Sequence, residues 1–137
     1  MSSLPLRPYL RLADAKAILA AAEAYAMARQ WAVTIVVADE GGNALASLRL
    51  DGCAALGGQI AAEKARVAAL SRRESAVYEN MINQGRTAFL SAPVNGLLEG
   101  GVPILRDGHC IGAVGVSGVK SDQDAETAKA GIAALAL

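Results

Sequence analysis

The stretch Gly100-Gly101-Val102-Pro103-Ile104-Leu105-Arg106-Asp107-Gly108-His109-Cys110-Ile111-Gly112-Ala113-Val114-Gly115-Val116-Ser117-Gly118 decides the fold. Two apolar runs meet in it at Asp107-Gly108. Asp-Gly between apolar runs is a strong hairpin signal, because both central residues of the favoured tight turn take positive φ. The second run carries glycine at 112, 115 and 118. Glycine weakens a strand interior, so its presence there marks a bulge or the close approach of a backbone or ligand. The pattern predicts a pair of strands at the centre of the fold that also walls a pocket.

Working outward, residues 33–39 form a short β-branched run that reads as a buried strand. Glu40-Gly41-Gly42-Asn43 is a turn, and residues 44–50 alternate as a second strand. Upstream, apolar residues from Leu12 to Ala26 recur at helical spacing, predicting a helix over 12–30 behind a proline-broken lead-in. Residues 57–72 read as an alanine-rich helix and 74–83 as a shorter one. The stretch 86–99 carries Pro93 and Gly96, shows no periodic pattern that supports a strand, and reads as a surface winding with a short apolar turn at Val94 to Leu98. Ser121 is a candidate N-cap, and Asp122, Asp124 and Glu126 suit the start of a last helix running to the chain end. Hairpins alternating with helices predict a single α+β domain with an antiparallel sheet.

The totals narrow the function. The chain has 137 residues, enough for one domain with its own core. Its 13 basic and 13 acidic residues cancel, which argues against a general nucleic-acid binder. No apolar run approaches the roughly 20 residues that span a bilayer. Residues 1–10 lack the apolar centre of a signal peptide, and two widely spaced cysteines suggest neither a disulfide framework nor a zinc site. These features point to the cytoplasm with reduced thiols. No phosphate-binding loop, nucleophile elbow or metal-ligand cluster is present.

In the order Leu12–Ile18, Val37–Asn43, Arg49–Gly52, Lys64-Ala65-Arg66, Gly100–Ile104, Ile111–Gly118 and Gln123-Asp124, the chain resembles the GlcG/HbpS family. These are small haem-binding-like proteins, also found as the C-terminal domain of PduO-type corrinoid adenosyltransferases. The resemblance implies a profilin-like sheet of about five antiparallel strands flanked by helices. It also implies a homo-oligomer, and it makes haem or a corrinoid a possible ligand.

Two readings of the site follow. In the first, Gly100, Gly101, Val114, Val116, Ser117 and Gly118 wall a groove for a small planar or anionic molecule. Successive backbone amides at Gly101, Ser117 and Gly118 suit a carboxylate, and Arg49 with Asp51 stands at a strand end where arginine can clamp one. The same glycines also fit close packing of the final helix on the sheet. In the second reading the protein is a cofactor-free lyase or isomerase on a small carboxylate or aromatic catabolite. Arg49 is then the clamp, and Glu99 or His109 moves the proton. His109, the lone histidine, follows a tight turn and also reads as a plain exposed tip residue. Tyr78, Met81, Cys53 and Cys110 are the other side chains able to ligate haem iron. Lys64, Arg66, Arg72 and Arg73 read as a pocket mouth or as a solvated helix face.

Overall fold

The structure, a computed structural model, describes residues 3–137; Met1 and Ser2 lie outside the described residues. The chain runs α1 (Leu12–Ala28), β1 (Thr34–Asp39), β2 (Ala44–Arg49), α2 (Ala55–Ser71), α3 (Ala76–Asn83), a single 3-10 turn (Thr87–Ser91), β3 (Gly101–Arg106), β4 (His109–Ser117) and α4 (Ser121–Ile132). Both hairpins form. Asp107 and Gly108 take φ of 51° and 79°, the positive pair that an Asp-Gly turn predicts. The hairpins join through β1 and β4 into one antiparallel sheet of order β2-β1-β4-β3.

Strand alternation then sorts side chains into two layers. Ile35, Val37, Val114 and Val116 point to one face, where Ala15, Ile18, Ala22 and Ala26 of α1 and Ala128 of α4 cover them. Val36 and Ala38 point to the other face, against Ala61 and Ala65 of α2. The α2 layer is thin because it is built from alanine facing glycine. A Cβ on Gly115 would stand 2.0 Å from the Ala61 carbonyl oxygen, and one on Gly101 would stand 2.2 Å from that of Lys64. Gly101 and Gly115 therefore make room for the backbone of α2, while Gly112 and Gly118 abut the Ala38 carbonyl and the Ala32-Val33 backbone, and none of the four is set against the final helix.

Several expectations change. The described residues form four strands, not about five, and 86–99 stays outside the sheet as a 3-10 turn and a loop, as its lack of periodicity predicts. The hairpin is not the central pair: β4 is central beside β1, while β3 is an edge. Lys120 takes the N-cap backbone position of α4, so Ser121 is its first helical residue, and the helix stops at Ile132.

Candidate functional site

The site is organised by a lysine that the sequence places on a charged helix. Lys64 lies on the inner stripe of α2, and its side chain is 3% exposed. Its ammonium sits 3.1 Å from Oδ2 of Asp124 on α4, which is equally buried, and donates to the Val116 carbonyl at 3.0 Å. Asp124 Oδ1 accepts the Val119 N–H at 3.2 Å. Burial pushes the Asp124 carboxyl above its ordinary range, with Lys64 and the Val119 amide pulling it back. The pair ties α2 to α4 across opposite faces of the sheet, at a point where β3 has not yet begun. Gly100 makes the passage possible: at φ 134°, a Cβ there would stand 2.7 Å from both Lys64 Nζ and the Val116 oxygen.

Ser75 fixes the next residue. Its hydroxyl accepts the Gly101 N–H at 2.8 Å and donates to the Leu98 carbonyl at 2.5 Å, while its own N–H donates to the Gly101 carbonyl. The Gly101 amide is thus already bonded inside the protein and is not free for an anion. These contacts, with Gly96 seated against the Glu63 backbone, hold residues 95–98 as a ridge along α2.

Between that ridge and the outer face of α2 runs a groove of about 520 Å³. Leu56, Ile60, Ala62 and Leu98 make its apolar floor, with Gln59, Glu63 and Asn95 contributing polar groups. Leu56 and Leu98 are 62% and 45% exposed, so the floor of the groove presents apolar surface to solvent. Across the ridge, Ile82, Leu90, Val94 and Leu97 line a second recess of about 350 Å³. The volume of the larger groove lies within the range of small-molecule sites.

The expected site residues scatter. Val114 and Val116 are fully buried under α1 and α4 and wall no groove, because they point to the face opposite α2. Arg49 pairs with Thr34, and Thr34 with Ser117, so these three share the α2 face at one end of the sheet. The Cys53 thiol lies 3.4 Å from the Thr34 hydroxyl and occupies the space beside Gly57, where a Cβ would be 2.7 Å from the sulfur. Asp51 and Gly118 are exposed beyond the strand ends. Glu99 is half-buried; its N–H donates to Glu79, and its carboxylate accepts from Ser121 at 3.5 Å. Arg49 and Glu99 belong to opposite edges of the sheet, about 14 Å apart at ordinary strand spacing.

His109 opens β4 and Ser117 closes it. At about 3.3 Å per residue this puts His109 some 26 Å from the Arg49 end. A clamp at Arg49 working with a proton carrier at His109 or Glu99 on one small substrate is therefore not assembled in this fold. No group of three or more His, Cys, Asp or Glu able to hold a metal ion forms among the described residues. None of the described helices is long and apolar enough to cross a membrane.

Comparison with known proteins matches this architecture. Protein GlcG of Escherichia coli K12 is 55% identical over 103 residues, covering 75% of this chain and 77% of GlcG. The crystal structure of a Streptomyces reticuli HbpS double mutant has a TM-score of 0.87 at 29% identity, covering 98% of this chain and 92% of that one. The crystal structure of a PduOC complex with haem has a TM-score of 0.84 at 25% identity, covering 94% and 96%. Residues 10–133 match the family described as haem degrading protein HbpS-like, and the chain belongs to that family.

Proposed function

We propose that the protein binds a flat, largely apolar small molecule of the tetrapyrrole class in the groove between α2 and the 95–98 ridge. The observation that carries this reading is the groove itself: about 520 Å³, floored by Leu56, Ile60 and Leu98, with Leu56 62% exposed. The structural likeness to a PduOC–haem complex supports the ligand class. A macrocycle face gains most from apolar area removed from water, at about 25 cal/mol per Å². The apolar floor suits a macrocycle face, but the described lining offers no iron ligand, and its one charged residue, Glu63, is a carboxylate that cannot pair with a propionate. Among the described residues no His, Cys, Met or Tyr lines the groove, and His109 lies at the far end of β4. The reading therefore rests on macrocycle contact, and no chemistry is assigned to the iron. The exposed Leu56, Leu90 and Leu98 also favour self-association of the chain along this side.

Haemin titration followed at the Soret band tests the reading. The native protein should give a saturable spectral change. Ile60→Asp should weaken it at least tenfold, because it sets a charge on the apolar floor. His109→Ala should bind as the native protein does. Unaltered binding by Ile60→Asp, or loss of binding in His109→Ala, would overturn the assignment.

A further inference from the structure

The far end of the sheet holds a second concavity of a different character. A recess of about 310 Å³ opens beside the β3–β4 turn, lined chiefly by Arg7, Glu40, Arg72, Gly108, His109 and Cys110. Its cations outnumber its anions. Arg7 meets Glu40 at 3.5 Å, which leaves the Arg72 guanidinium without a salt bridge among the described residues. The Cys110 thiol is 8% exposed and bonds to the Gly112 carbonyl at 3.3 Å. Burial holds that thiol above its usual range, so it stays neutral and does not repel an anion.

Arg72 itself is the second observation. It caps α2 at φ 60° and ψ 31°, the left-handed conformation that helices normally give to glycine. A side chain there is strained, and strain retained at a cavity mouth points to a use for the side chain. The carbonyl end of α2 also attracts a cation, so dipole capping is the competing explanation.

We propose that this recess is a second binding site, for a small oxyanion such as a carboxylate or phosphate group, held by Arg72 with Arg7 and His109. It is independent of the α2 groove, and a tetrapyrrole bound there leaves it open.

His109 is the only histidine, so its ring C–H resonances report on the recess without overlap. The experiment follows these resonances at fixed pH while inorganic phosphate, or in a separate arm malonate, is added to the full chain. The site predicts a saturable shift with at least one probe, and the probe that saturates identifies the oxyanion. Arg72→Gly should weaken binding at least tenfold while the melting temperature stays level or rises by a few degrees, because glycine relieves the strained backbone. Arg72→Gln, which keeps that strain, should lose binding equally. Glu40→Gln should tighten binding by removing the carboxylate that lines the recess. A response to neither probe in the native chain overturns the proposal. So does native affinity in Arg72→Gly and Arg72→Gln, which would leave Arg72 as a helix cap alone.

Discussion

The two ends of β4 answer their polar groups in opposite ways. At the Ser117 end, Lys64, Asp124, Ser75 and the Gly100-Gly101 backbone all find partners inside the protein. At the His109 end, an exposed imidazole and a guanidinium with no salt bridge among the described residues face a recess open to water. The first end looks functional in the sequence because it is rich in glycine and charge, yet its chemistry is spent on holding three layers together. The second end has the groups that are free to meet a ligand.

Substitutions sharpen this contrast. The largest effect belongs to the buried pair. Lys64→Ala or Asp124→Ala should cost about 3–5 kcal/mol in urea denaturation, because each leaves an uncompensated buried charge. Replacing both, as Lys64→Met with Asp124→Leu, should cost much less than either single change. A single substitution costing under about 1 kcal/mol would mean that the pair does not carry the junction.

Gly115→Ala comes next. It drives a methyl to within 2.0 Å of a backbone oxygen and should cost about 1–3 kcal/mol as α2 is pushed off the sheet. Gly58, on α2 itself, is the control. An added Cβ there meets nothing within 4 Å, so Gly58→Ala should stabilise by about 0.5–1 kcal/mol. If both changes have the same sign, the close approach at Gly115 is not what constrains that position. At the other end of β4, His109→Ala should alter stability by no more than about 0.5 kcal/mol, since the side chain is exposed and supports no packing.

The turns and the β-branched run were legible because each has a local cause. Asp107-Gly108 needs no partner to favour its turn, and residues 33–39 declare a buried strand by composition. The helices were legible as helices, but their inner faces were not. Alanine fills the buried stripe of α2 and also stands at exposed positions 55 and 62, while Leu56 and Leu70 are exposed, so the hydrophobic contrast between its faces is weak. Lys64 therefore read as solvated and Asp124 as a helix-start residue.

A signal was nonetheless present. Lys64 falls in register with Ala61, Ala65 and Ala68, and Asp124 with Ala128. Opposite charges on the alanine stripes of two helices are the mark of a buried pair. The short apolar turn at 94–98 was legible as a surface winding, but its seat along α2 was not, because that is set by Ser75 and the α2 backbone, which are distant in sequence. The groove between the two was consequently not foreseen. The family resemblance carried the overall fold correctly, apart from the strand count. It did not locate the groove, because the motif residues that carry it are mostly those that pack α2 and α4 against the sheet.

The central claim is that a planar ligand lies on the outer face of α2 and not against the glycine-rich hairpin. Amide chemical-shift mapping with zinc protoporphyrin, which is diamagnetic, tests this most directly. Perturbations should cluster at Leu56, Gln59, Ile60, Gly96 and Leu98, with Val114, Val116 and His109 unmoved. A cluster centred on residues 100–118, with the α2 face silent, would contradict it.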